Sequence, residues 1–140
     1  MKLSLKTKGK LKKEGVILVY LHGSQVTGFT NKESDIDIAI LLSKRINSKK
    51  YFAKSLKLPE LFTPCFESRP IHVSILNQAS PLFKYTVFKN GELLCEKNKA
   101  SRITFELHAL QEYEDTKHLR DINYYYLRQR IKNNQFGLAT

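Results

Sequence analysis

Tryptophan is absent from this chain of 140 residues, which carries one methionine, two cysteines and about half as many acids as bases. Cys65 and Cys95 lie far apart, with no CxxC and no histidine at ligand spacing, which fits two reduced thiols better than a disulfide staple or a zinc site. Long apolar runs are also missing. None approaches the roughly 18 to 20 residues of a membrane span, and the lysines of the first segment are not followed by the apolar stretch of a signal peptide. The expectation is a cytoplasmic protein that does not engage a membrane. No internal repeat appears. What is present is ordinary for a folded domain: 41% hydrophobic and 26% charged residues argue against wholesale disorder. The length suits a single domain spanning 1–140 with one core.

The shortage of acids is local. Lys2, Lys6, Lys8, Lys10, Lys12 and Lys13 precede the first acid, Glu14, and Lys44, Arg45, Lys49, Lys50, Lys54 and Lys57 follow as a second block. Setting aside those twelve leaves 12 bases against 13 acids, so the net charge of +11 is two patches and not a general field. Residues 1–13 read as a basic, solvated arm, irregular or weakly helical. The second block reads as a helix at 47–57 whose lysines face water while Tyr51, Phe52, Leu56 and Leu58 face the core. Contact with nucleotide phosphates or an acidic partner is the functional alternative for both blocks. Nucleic-acid binding comes behind those, because no basic-aromatic interleaving of a recognised pattern is present.

The chemistry is concentrated in residues 23–37, GSQVTGFTNKESDID. The apolar run GVILVYLHGS predicts a strand at 16–22 that ends in Gly23, which lets a ligand approach the backbone. Ser24 then opens a short helix whose free amides face an anion. Asp35 and Asp37 stand two apart in DIDIAILL, predicted as a strand at 35–42, so a period of two sends both carboxylates to one face. Each half alone has a plain structural reading, as a turn with a helix cap or as a solvated strand edge. Together they are better explained by chemistry: a strand buried on both faces has no structural use for two like charges on one side unless a cation lies between them. Oxygen donors so arranged suit Mg²⁺.

The rest of the chain supplies a frame. PELFTPCFESRP reads as a loop with a short edge strand, broken by Pro64 and Pro70. Residues 71–76 form the next strand. A helix follows, capped by Asn77 or Ser80 with Pro81 in its first turn, and Asn90-Gly91 turns into a short strand at 92–95. One long amphipathic helix runs from about 100 to 135, with Ser101 as cap and Gly137 just past its end. Phe105, Leu107, Leu110, Tyr113, Leu119, Ile122, Tyr126, Leu127 and Ile131 recur along it at helical spacing. Its distal part, with Tyr124, Tyr125 and Arg128, has more apolar and aromatic surface than one helix face buries, as interface anchors do.

The string LHGS, ten residues, DID and then AILL resembles the minimal nucleotidyltransferases, small members of the DNA polymerase beta-like superfamily. ILNQASPLFKYTVFKNGELLCEKN is similar to the second half of those domains, and the tail from Phe105 through Tyr113 and Asp115 to Phe136-Gly137 is similar to their long C-terminal helix. The resemblance implies an α/β, two-layer α+β nucleotidyltransferase fold, with a small mixed or antiparallel sheet packed by helices. Within the family it is nearest the MntA-type antitoxins, encoded beside a HEPN-domain toxin (HepT-like). Those proteins form a hetero-oligomer with the toxin and transfer AMP from ATP to one of its tyrosines, silencing its RNase activity.

The same resemblance implies that Gly23 and Ser24 bind phosphate and that Asp35 and Asp37 hold Mg²⁺, in a one- or two-metal site. A third carboxylate is expected on a neighbouring strand. In PIHVSILN that position falls on His72, a fair base and a poor Mg²⁺ ligand. Glu67 substitutes for it only if its loop folds back. The alternative is an antitoxin that neutralises its toxin by binding alone. A small-molecule nucleotidyltransferase is disfavoured, since no second domain is present to build an acceptor pocket.

Overall fold

The computed structural model describes residues 2–23, 35–67 and 69–133. Four strands form one mixed sheet: β1 (Val16–His22), β2 (Ile36–Leu42), β3 (Ile71–Ile75) and β4 (Glu92–Glu96), in the order β3-β2-β1-β4. β1 pairs antiparallel with β2 and β4, and β2 pairs parallel with β3. Alternation along β1 and β2 splits the core in two. Val19, Leu21, Ile36, Ile38 and Ile40 belong to one buried cluster, while Leu18, Tyr20 and Ala39 belong to another on the opposite face.

Helix α1 (Leu5–Lys13) covers the first face. The segment expected to be a solvated arm is therefore an ordered, packed element. Ser4 caps it by accepting the Thr7 amide at 3.2 Å, and Leu3, Thr7 and Leu11, four residues apart, are the side it buries. The lysines between them obscure this stripe in the sequence. Two further helices, α2 (Tyr51–Lys57) and α3 (Pro59–Phe62), complete the layer. Pro59 starts α3, so the expected loop with an edge strand is instead a helical turn that buries Phe62, followed by a 3-10 turn over Thr63–Cys65. Leu58 is buried as expected, but Phe52 is 75% exposed and Leu56 65% exposed, so α2 turns a mixed apolar and basic side to solvent. Glu14 ties the two basic blocks together, accepting Lys54 Nζ at 2.7 Å and Lys57 Nζ at 2.8 Å.

On the second face lie α4 (Pro81–Asn90) and α5 (Lys99–Lys132). Ser80 caps α4 by accepting the Phe83 amide at 3.1 Å. The cap of α5 is Asn98, which accepts the amide of Ser101; Ser101 is not the cap but the residue capped. The two helices lock together through stacked Tyr85 and Tyr113 rings, 3.8 Å between centroids, and a Lys84–Glu112 ion pair at 3.3 Å. Only Phe105 and Ala109 of α5 are buried. Of the expected stripe only Phe105 is buried, and Leu107 and Leu110 are exposed even in the first third. Beyond it Leu119, Tyr124, Tyr125, Tyr126 and Ile131 are exposed. Gly137 lies outside the described residues.

Candidate active site

Because β1 ends where β2 begins, the pairing sets three polar residues in one row. Asp37 is opposite His22 on β1 and opposite His72 on β3. Paired residues of adjacent strands project to the same face. His22 follows Leu18 and Tyr20 by steps of two, and His72 alternates with Ile71, Val73 and Ile75 of the first cluster, so the whole row lies on the second face. Gly23 stands at the end of β1 with φ of +77°. The Asp37 carboxylate fills the space a side chain would take there: a Cβ built on Gly23 would sit 2.5 Å from Asp37 Oδ2. Glycine at 23 is therefore required twice, by its backbone and by its neighbour.

Asp35 differs from the expectation of a shared strand face. β2 begins at Ile36, whose amide donates to the Pro70 carbonyl at 2.8 Å, so Asp35 stands one residue ahead of the strand and is exposed. Neither acid pairs with lysine or arginine among the described residues. Ser24 and the helix expected after it lie outside the described residues. Glu67 sits in an exposed turn ahead of β3 with φ of +51° and is not part of the row.

The residue not singled out in the sequence is His22. Its place was legible from period two, since it follows Tyr20 by two and precedes the notch glycine. Its ring lies edge-on to Phe83 of α4, 5.4 Å between centroids, and its Nε2 is buried with no hydrogen-bond partner among the described residues. Burial holds the imidazole below the usual histidine range, against the opposing pull of the Asp37 carboxylate.

Oxygen donors from Asp37 and Asp35 beside imidazole nitrogen make a donor set that suits a divalent cation. No three His, Cys, Asp or Glu side chains among the described residues form a group that could hold a metal ion. A cavity of about 710 Å³ opens elsewhere, at the far end of the same face, between Leu41, Lys44 and Lys84 and the Phe105–His108 turn of α5. Neither Asp35 nor Asp37 lines it.

The sequence profile of the polymerase beta nucleotidyltransferase family matches residues 6–100. The chain belongs to this family. The matched part of this nucleotidyltransferase holds the whole sheet and α1 to α4, and stops in the first turn of α5. Solved structures share the fold. A chain of a toxin-antitoxin complex with AMP-PNP superposes with a TM-score of 0.69 at 20% identity, over 90% of this chain and 99% of that one. A chain of an MntA-HepT toxin-antitoxin complex gives 0.63 at 18%, over 89% and 99%. So does a chain from the complex of a tri-AMPylated Shewanella oneidensis HEPN toxin with MNT antitoxin, at 0.63 and 18%, over 88% and 97%. At such identities the likeness shows the fold alone. No curated protein matches the nucleotidyltransferase chain.

Proposed function

We propose that this protein is an antitoxin of the minimal nucleotidyltransferase type, which transfers AMP from ATP to a tyrosine hydroxyl of a cognate HEPN-family RNase toxin. The observation that carries the reading is the Asp37 carboxylate seated against Gly23, in register with His72. A family fold and neighbours that are toxin-antitoxin complexes, one with an ATP analogue and one with an AMPylated toxin, support the same assignment.

In this reading Gly23 and Ser24, at and just past the end of β1, bind the triphosphate, and the Asp37 carboxylate is seated against Gly23. Asp35 and Asp37 hold a divalent ion, Mg²⁺ by the family resemblance. When bound, that ion supplies charge neutralisation on the phosphate oxygens. His72 lies opposite Asp37 on β3. The toxin's phenol oxygen attacks the α-phosphorus in line, the α–β phosphoanhydride bond breaks, pyrophosphate leaves and the phenol proton passes to solvent. The chain contributes position and a fixed field, which are the main terms in such transfers.

Asp35→Ala combined with Asp37→Ala is expected to abolish AMP labelling of the co-expressed toxin, read by intact mass, while the thermal melt stays cooperative. Wild-type labelling by that folded variant refutes the assignment. A second reading has its own support: nitrogen stands where the family's third carboxylate is expected, and the distal α5 surface is exposed for a partner. Under binding-only neutralisation the same variant still protects cells, and no toxin tyrosine gains mass.

A further inference from the structure

We infer that the hollow at the far end of the second face is a binding site for a small organic anion, one with an apolar or aromatic body and a negatively charged end. Such a site is independent of nucleotidyl transfer. The fold puts the start of the second basic block here and not at the row of Asp37.

Lys44 and Arg45 follow β2 directly, at the end of the strand away from Asp37. Seven residues of extended chain separate Asp37 from Lys44, roughly 20 Å, which keeps both cations from a nucleotide held at the row. They line instead the cavity of about 710 Å³. Its floor is part of the core: Leu76, Phe105 and Ala109 are buried, and Ile17 and Leu41 face them from the sheet. On the helix side the lining begins with the short side chains of Ala100, Ser101 and Thr104, which leave the space between α5 and the strands unfilled.

The charge left for a ligand has one sign. Glu112 is the single acid in the described lining, and Lys84 is committed to it at 3.3 Å. Lys44 and Arg45 are exposed and have no ion-pair partner among the described residues. The two asparagines of the lining are spent within the fold, Asn77 on the Leu42 backbone and Asn98 on the Ser101 amide. An apolar floor beneath unpaired cations takes a molecule that is greasy at one end and anionic at the other. The volume lies within the roughly 300–1,000 Å³ of small-molecule sites, and a guanidinium matches carboxylate, sulfonate or phosphate oxygens. A second copy of this chain would bring like charges together at the mouth, and a flat protein surface would leave the floor empty.

The test uses the full chain with anilinonaphthalene sulfonate as probe, an aromatic body with a fixed negative charge, and phenylnaphthylamine as the same body without the charge. Wild-type protein is expected to bind one sulfonate per chain, about tenfold or more tightly than the neutral compound, and to melt at a higher temperature in its presence. Lys44→Glu with Arg45→Glu is expected to lower sulfonate affinity by about tenfold or more, while the neutral compound binds within about twofold of wild type. Thr104→Trp fills the hollow from the helix side and is expected to weaken both compounds. A non-hydrolysable ATP analogue is expected to leave the sulfonate bound. Equal affinity for the charged and neutral compounds, unchanged sulfonate affinity in the folded double variant, or displacement by the ATP analogue overturns the inference. Loss of sulfonate binding in the complex with the co-expressed toxin also overturns it, by assigning the hollow to a segment of the partner.

Discussion

Replacing Gly23 by alanine tests the junction between fold and chemistry. Two penalties act at once. Gly23 has φ of +77°, and an L-residue in the left-handed region costs roughly 1–2 kcal/mol. The new methyl would also stand 2.5 Å from Asp37 Oδ2 and 3.3 Å from its Cγ, so the carboxylate or the end of β1 must move. The backbone term alone lowers the melting temperature by roughly 3 to 8 °C for a chain of this size. The displaced carboxylate should cost far more in function, since a misplacement near 1 Å removes on the order of a hundredfold in rate. Gly23→Asn separates the two effects, because asparagine tolerates positive φ yet still brings a Cβ. Its melt should lie closer to wild type while its AMP transfer and nucleotide-analogue affinity fall as in Gly23→Ala. Transfer at the wild-type rate in either variant would show that Asp37 does not act from this notch.

Three other expectations follow from particular contacts. Glu14 accepts both Lys54 and Lys57, mainly through those hydrogen bonds, and its pKa lies below the ordinary 4.5. A depressed acid stabilises the fold above about pH 4.5 and loses that effect as pH falls through its folded value. Glu14→Gln should therefore lower stability by roughly 0.5–1 kcal/mol at neutral pH, with the melting gap to wild type closing below pH 4.5. Asn77→Ala removes the amide that accepts the Leu42 N–H and donates to the Leu42 carbonyl, both at 2.8 Å, at a buried residue; urea denaturation should show a loss of about 2–3 kcal/mol, and no loss would refute the pairing. Tyr124→Ser with Tyr126→Ser alters side chains 56% and 62% exposed, so the melt should barely change, while co-purification of the co-expressed toxin should drop if α5 is the docking surface.

How much of this could be read from sequence varies with the periodicity available. β1 and β2 were legible because apolar runs ending in Gly23 or opened by Asp35 leave few alternatives, and β3 because a short apolar alternation follows Pro70; the family profile agrees with the fold they imply. α1 was legible only as weak helix and not as a packed element, since it buries just Thr7 and Leu11, one of them polar, set among lysines, with Leu3 buried ahead of its cap. The turn at 59–65 is helical where its prolines suggest a break, because Pro59 occupies a first helical turn that needs no amide. For α5 the spacing was right and the burial was not: helical periodicity tells which residues share a side, but not whether anything covers that side. In the site, spacing pointed to Asp37 and the family resemblance to His72 on a neighbouring strand, while the exact start of β2, which leaves Asp35 outside, depends on the Pro70 carbonyl from a distant segment.

The two faces of the sheet also explain why the row stands where it does. On the first face the strand residues run apolar to the end, with Leu21 and Ile36 buried beneath α1 and α3. On the second face the same alternation reaches Tyr20 and Ala39 under α4 and α5, then passes beyond them to His22, Asp37 and His72. Tyr20 closes the apolar part, its hydroxyl donating to Glu106 of α5 at 2.9 Å, and Phe83 of α4 closes against His22. Each step outward along β1 is thus a step from a packed interior to His22, whose Nε2 lacks a partner among the described residues. The apolar part of that face contributes stability through burial, and the polar end contributes little to folding. A carboxylate held against a glycine at that boundary adds little to the fold, which is why the Asp37 variants above test binding and transfer rather than stability.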